Sequence, residues 1–250
     1  MPIGNPFIQL IEVESTNNYA IAQVQAHLAG HGTAWFAHHQ TAGKGQRGKQ
    51  WLSKPGENVI LSCAVDPKPL FFPDQFVLSM AVALACHDFF SKYALEETKI
   101  KWPNDIYWKD RKAGGILIEN IIRGNDWKFA VAGMGLNINQ VNFSSHLANP
   151  VSLRQITGKK FETMLMAREL CTCLDKRWQQ VCDGEVLNIL KDYNMRLYKL
   201  NEWVTLKKEN ALFTAMVTGV NDKGDLLVNT GEEDRISFGQ VEWVILNDHL

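Results

Sequence analysis

The stretch Gln40-Thr-Ala-Gly-Lys-Gly-Gln-Arg-Gly-Lys-Gln-Trp51 gathers glycines and cations into one turn-forming segment. Gly43, Gly45 and Gly48 permit positive φ and a close approach of backbone to ligand, while Lys44, Arg47 and Lys49 bring positive charge to the same place. The segment reads as a loop that holds an anion, with phosphate as the natural guest; a solvated loop with incidental charges is the plain alternative. Its spacing fits G-x-G-x-x-G, yet no helix opens behind it. Lys54-Pro-Gly56 interrupts instead, and Asn58-Val-Ile-Leu-Ser-Cys-Ala-Val65 reads as a strand. A P-loop fails for the same reason, and because Gln50 stands where a magnesium-binding Ser or Thr belongs. The lysine strand, catalytic loop and D-F-G signature of a kinase are missing.

Working outward, Thr33 to His39 reads as a strand running into the loop and Val59 to Val65 as the strand leaving it. Upstream, Phe7 to Val13 suits a first strand. Glu14-Ser-Thr-Asn-Asn18 then leads into a helix from Tyr19 to Leu28, capped by Ser15 or Thr16. Capping explains this cluster, and a helix N-terminus also suits polar ligand groups. Downstream, Phe76 to Tyr93 reads as a core helix with Val77, Met80, Leu84 and Phe89 inward.

Lys99-Ile-Lys-Trp-Pro-Asn-Asp-Ile-Tyr-Trp108 reads as a strand broken at Pro103, because proline cannot continue a ladder. Pro-Asn-Asp is ordinary turn chemistry. Here, however, Lys101, Asn104 and Asp105 stand between tryptophans, offering a phosphate contact, a metal ligand and a stacking surface together. Lys109 to Lys112 reads as a hairpin turn, and Ala113 to Glu119 as the returning strand. Gly114 and Gly115 mark a bulge or a ligand close to the backbone. After a turn at Arg123-Gly-Asn-Asp126, Trp127 to Ala132 runs into Gly133-Met-Gly-Leu-Asn-Ile-Asn139, a second glycine-bearing strand.

Glu162 to Cys182 is an amphipathic helix with Leu165, Leu170, Leu174 and Trp178 among its apolar positions, and a further helical stretch runs from Gly184 to Tyr198. From Asn201 the pattern changes to short strands, with turns at Asn221 to Gly224 and Thr230 to Glu232 and a last strand near Val241 to Leu246. The reading is therefore a larger unit over 1–198 and a small all-β module over 199–250.

The chain of 250 residues is 46% hydrophobic, enough to bury a sizeable core with room for such a module. A formal net charge of −1 argues against a surface built to coat nucleic acid or an anionic membrane, so a basic site must be local. No run approaches the roughly 20 apolar residues of a membrane span, and the N-terminus lacks a signal pattern, so a cytoplasmic protein is expected. The cysteines Cys63, Cys86, Cys171, Cys173 and Cys182 form neither a disulfide framework nor a zinc pair and read as buried free thiols.

Taken in order, Glu14-Ser-Thr-Asn17, Gln40 to Trp51, Lys101-Trp-Pro-Asn-Asp105, Arg111-Lys-Ala-Gly-Gly-Ile-Leu-Ile-Glu119, Gly133-Met-Gly-Leu-Asn137 and the C-terminal β module resemble the biotin protein ligases. Each motif alone is weak; the ordered set is specific and spans nearly the whole chain. The resemblance implies an α+β fold, a mixed β-sheet with helices as in the class II aminoacyl-tRNA synthetases, followed by an SH3-like C-terminal barrel. It implies an enzyme that makes biotinyl-5′-AMP from biotin and ATP with Mg2+, then passes biotin to one lysine of a biotin carboxyl carrier domain on a biotin-dependent enzyme.

By matching positions, the resemblance assigns biotin binding to Ser15, Thr16, Asn17, Gln40, Gly43, Lys44, Lys112, Gly115 and Gly135. It assigns ATP and the adenylate to Lys44, Gly45, Gln46, Arg47, Trp51, Lys101, Asn104, Lys112 and Asn137. Lys112, Asp105, Lys44 and Arg47 are its catalytic candidates, with Asp105 also the candidate magnesium ligand. Lys44 and Gln46 stand where the family commonly has arginine, which bears on how tightly the adenylate is retained. The first motif begins at Glu14, so no DNA-binding helix-turn-helix domain and no DNA partner are expected. No membrane partner is expected either, and a homodimer is compatible with the family. The alternatives are a lipoate or octanoate ligase of the same catalytic fold and a non-catalytic biotin-sensing regulator.

Overall fold

Eight consecutive residues, Asn58–Val65, are buried on both faces and form β3, a central strand of a seven-stranded mixed sheet. The computed structural model describes residues 1–147, 149–231 and 233–244. On one side of β3 stand β2 (Ala34–Gln40), antiparallel to it, and then β1 (Phe7–Val13), parallel to β2. On the other side follow β7 (Asp126–Asn137), β6 (Arg111–Arg123), β5 (Asp105–Trp108) and β4 (Thr98–Lys101), all antiparallel.

Alternation along the strands sends neighbouring side chains to two cores. On one face Trp35, Ala64 and Val131 pack with Ala20 and Val24 of α1 (Thr16–Gln25). On the other, Phe36, Leu61 and Cys63 pack with α2 (Gln75–Ala94) and α4 (Thr163–Cys182). Val77, Met80, Leu84 and Phe89 are buried as their spacing predicts, and so are Leu170, Leu174 and Trp178. Leu165 is 60% exposed because it falls on the outward face of α4 with Arg168, Thr172 and Lys176, while Thr163 and Met166 beside it are buried. Cys182, at the end of α4, is also exposed, while the other four thiols are buried. The short α3 (Leu153–Thr157), opened by a Ser152–Gln155 capping box, and α5 (Val186–Met195) complete the helices.

The strand expected to be merely broken at Pro103 instead reverses. β4 and β5 form a tight hairpin in which Lys101 pairs with Asp105, because proline offers no N–H to extend the ladder and the chain turns back on itself. The reversal puts Lys101 and Asp105 side by side at one end of the sheet.

The C-terminal residues form a separate antiparallel sheet of order β11-β10-β9-β8-β12. Its strands are β8 (Trp203–Lys208), β9 (Ala211–Val220), β10 (Leu226–Asn229), β11 (Glu233–Ile236) and β12 (Glu242–Val244). Among the described residues its edges β11 and β12 do not pair, so the sheet is open. The expected turn residue Glu232 and the end of the expected last strand, 245 and 246, lie outside the described residues. This sheet is fastened to the rest of the chain by Trp102 of the β4–β5 turn, whose Nε1 donates to Gly224 O at 2.9 Å, and by Asn194 of α5 (Val186–Met195), whose side chain bonds both N and O of Val220. Among the described residues no helix is long and apolar enough to cross a membrane.

Candidate active site

Ser15 caps α1, and the next two residues turn their side chains toward the sheet. Thr16 donates from both its amide and its hydroxyl to Oε1 of Gln40, at 2.7 and 3.0 Å. Asn17 donates to Leu117 O and to Oε2 of Glu119. The hydroxyl of Ser62 lies 2.7 Å from that of Thr16 and 2.6 Å from Oδ1 of Asn17; with one proton it can donate to only one of them at a time. Ser15, Thr16, Asn17 and Ser62 are all buried. The result is a neutral polar cluster, densely hydrogen-bonded, set into an apolar sheet. A Cβ at Gly133 would collide with Asn17, which is why the strand carries no side chain there.

The glycine-rich segment is a miniature hairpin. Lys44 and Gln50 form a bridge, Gly45 N donates to Lys49 O, Trp51 N donates to Gly43 O, and a 3-10 turn spans Gln46–Gly48. Of the three glycines expected to supply positive φ only Gly48 does, together with Arg47, a non-glycine in the left-handed region. Gly43 is needed for room instead: a Cβ there would lie 2.5 Å from Trp51 O. Lys44 reaches back to α1, donating to Oδ1 of Asn18 at 2.6 Å and lying 3.8 Å from Glu119.

Trp51 then lays its indole on the sheet, against Gly135 and Gly115. A Cβ on Gly135 would be 2.5 Å from Cε2 of the ring, so this glycine leaves space for the indole, whereas one on Gly115 would meet the ring in ordinary contact at 3.4 Å. The indole N–H is buried with no hydrogen-bond partner among the described residues. Around Gly115 the register brings Lys112 and Asp105 together at 2.7 Å, the lysine a third exposed. The backbone of Lys112 is tied down as well: its N–H donates to Asn149 O, and its carbonyl accepts from Val151 N and from Nδ2 of Asn137. Asn104 commits its amide nitrogen to Ile116 O, so its direct effect is to brace the β4–β5 turn on β6.

Lys101 has no carboxylate partner within salt-bridge distance among the described residues. Its ammonium sits 5.2 Å from the ring centres of both Tyr107 and Trp243. Burial pushes its pKa down to about 8, against a raising effect of Asp105 and reinforced by Lys112 and Lys49. Arg47 lies over Phe238 at 5.2 Å and packs on Gly239.

The site therefore has two parts joined by the hairpin and by Trp51. A cavity of about 350 Å³ opens beside them, lined by Gln40, Gly43, Trp51, Ser53, Lys54 and Asn142 among others. Among the described residues no group of three or more His, Cys, Asp or Glu could hold a metal ion. A magnesium ion here would arrive on a nucleotide and keep most of its own water, needing one or two carboxylates, and Asp105 is the one beside Lys112.

Sequence reasoning missed Ser62, Asn18, Glu119, Tyr107, Phe238 and Trp243. Ser62 did leave a signal, as the lone hydroxyl in an apolar run. The others are joined to the site only by the tertiary fold.

The model of the biotin/lipoate A/B protein ligase family matches residues 10–137. The chain is 28% identical over 225 residues to the bifunctional ligase/repressor BirA of Bacillus subtilis, covering 88% of this chain and 69% of that protein. To the biotin--[acetyl-CoA-carboxylase] ligase of Paracoccus denitrificans it is 26% identical over 232 residues, covering 88% and 92%. Its fold is similar to that of the biotin protein ligase from Aquifex aeolicus in complex with biotin and ATP, with a TM-score of 0.80 at 24% identity over 95% of this chain and 98% of that one.

Proposed function

The chain belongs to the biotin/lipoate A/B protein ligase family, and we propose that within it the protein is a biotin protein ligase. It activates biotin with MgATP to biotinyl-5′-AMP, releasing pyrophosphate, and transfers the biotinyl group to a lysine of a biotin carboxyl carrier domain. The observation that carries this reading is the pairing of a buried neutral polar cluster with a separate set of cations on one sheet.

The neutral cluster of Thr16, Asn17, Gln40 and Ser62 suits the ureido ring of biotin, which presents two N–H donors and a carbonyl. A lipoyl or octanoyl chain has no such groups and would leave these side chains only one another as partners. Sites built to hydrogen-bond a substrate discriminate strongly against analogues that lack those groups. Ser15, Gly43, Gly115 and Gly135 complete this half in our reading.

The cationic half answers the chemistry. Attack of a carboxylate oxygen on the α-phosphorus brings two anions together, so the barrier falls where positive charge is already in place. Lys112 holds the biotin carboxylate against the α-phosphate, with Lys44, Arg47 and Lys101 on the phosphates. Gly45, Gln46, Trp51, Asn104 and Asn137 shape the nucleotide side. In the second step the acceptor amine attacks the mixed anhydride carbonyl, the C–O bond to AMP breaks, and AMP leaves with its electron pair. Lys112 steadies the carbonyl oxygen, and Asp105 orients the incoming amine, whose proton passes to solvent, or contacts the magnesium of MgATP. The pair at 2.7 Å supports both roles, since it fixes an ammonium and a carboxylate side by side in the site.

In the same reading residues 1–198 are the catalytic unit, 199–250 are the SH3-like module, and the protein works in the cytoplasm. Mixing the purified chain with MgATP and biotin, lipoate or octanoate, without acceptor, tests the substrate through pyrophosphate release and acyl-adenylate formation. Adenylate is expected with biotin alone. Adenylate with lipoate or octanoate would move the chain to the sister activity, and none with any acid would leave a sensor.

A further inference from the structure

Lys101 faces aromatic rings, and its cross-strand neighbour Asp105 is paired with Lys112 instead. Tyr107 comes from β5, Tyr198 follows α5, and Trp243 lies on β12 of the C-terminal sheet. Tyr107 and Tyr198 are 5.2 Å apart between centres, Tyr198 and Trp243 5.8 Å, and the ammonium stands 5.2 Å from the first ring and from the last. Tyr198 is itself anchored, donating to Oδ1 of Asp110. Tyr107 and Trp243 thus flank the ammonium, the second supplied by the C-terminal sheet, and Tyr198 packs against both rings and braces them.

The choice of rings matters for a residue meant to meet phosphate. A carboxylate would orient the ammonium but cancel its charge; the negative faces of aromatic rings orient it and leave its net charge available. Lys112, by contrast, is already paired with Asp105. We propose that Trp243 is a positioning residue for the nucleotide half of the reaction, holding the Lys101 ammonium in place for the phosphates of ATP, so that the C-terminal sheet completes the active site. This rests on the assignment of Lys101 to the nucleotide.

The chain enters the test whole, as Trp243→Leu, Trp243→Phe and Lys101→Met variants, with initial rates of biotin-dependent pyrophosphate release and with calorimetric binding of biotin alone. Leucine keeps apolar packing at 243 but removes the π face; phenylalanine keeps both. Trp243→Leu is expected to raise the KM for MgATP about three- to tenfold, the scale of one partly desolvated cation–π contact. Biotin affinity should stay within about twofold, which also reports that the variant is folded, and Trp243→Phe should recover most of the loss. An unchanged KM for MgATP in Trp243→Leu, with Lys101→Met raising it, would overturn the positioning role and leave the nucleotide role of Lys101 standing. No effect of Lys101→Met would remove the reading beneath both. Equal losses in the leucine and phenylalanine variants, together with lost biotin affinity, would mean that Trp243 only packs.

Discussion

The two halves of the site are built on opposite physical plans. Around Ser62, the buried side chains of Thr16 and Asn17 and the half-buried Gln40 are linked by hydrogen bonds within a stack of strand and helix, and Asn17 also donates to Glu119. Around Lys112, the groups are charged, partly exposed and carried by turns: the Lys44–Gln50 hairpin, the β4–β5 reversal and the turn at Phe238 and Gly239. Neutral polar groups can be buried at low cost once paired, whereas buried cations cost several kcal/mol unless a partner or water remains within reach. On the proposed reading, this is why recognition of an uncharged ring belongs in the core and handling of phosphates at its rim.

The largest effect expected from breaking this division comes from its charged side. Lys112→Ala should slow adenylation in single-turnover measurements by about 10²-fold to 10³-fold, the usual loss for one preorganised donor. Unchanged turnover would take Lys112 out of the chemistry.

On the neutral side, Ser62→Ala removes the hydroxyl without adding volume and takes a hydrogen-bond partner from Thr16 and from Oδ1 of Asn17. It should weaken biotin binding by about tenfold to a hundredfold and lower stability by about 1–3 kcal/mol, read by calorimetry and denaturant titration. The KM for MgATP should hardly move, and a change in it matching the change for biotin would dissolve the distinction between the halves.

Salt separates them without mutation. Raising ionic strength from about 0.05 to about 0.5 M shortens the Debye length well below the reach of exposed cations, so the KM for MgATP should rise severalfold while biotin affinity stays nearly flat.

A smaller effect belongs to neither half and serves as their control. Arg177, buried in α4, forms ion pairs with Asp88 of α2 and Asp192 of α5. Burial alone would raise the Asp88 pKa, but the two hydrogen bonds from Arg177, with the His87 imidazole 3.6 Å away, outweigh it and bring it to about 2, below its ordinary 3.8. A carboxylate with a depressed folded-state pKa stabilises above its unfolded value, so about 2 kcal/mol should be present near neutrality and lost as pH falls from about 4 to about 2. Thermal melts across that window, compared with Asp88→Asn, measure it. The same slope in the variant would place the acid sensitivity elsewhere.

Much of this was legible before any coordinates. Periodicity located β1 to β3, α2 and α4 closely, because their apolar spacing matches the faces they bury. Turn chemistry located the hairpin at Lys109 and the reversal region at Pro103, though not that the chain turns back there. The expected SH3-like barrel is, over the described residues, an open five-stranded sheet. Ordered motifs pointed to the family and to Lys112, Asp105 and the glycine-rich segment.

What the chain determines by itself is which residues have the chemistry: cations in a glycine-rich turn, a hydroxyl in an apolar strand, an amide and a carboxylate beside a proline. These are local properties, written in spacing and composition. Tertiary structure alone decided their company. Ser62 meets Asn17 across 45 residues, and Lys101 meets Trp243 only because a second sheet docks on the first. Contacts between distant segments depend on how whole faces pack, and no local pattern encodes the partner.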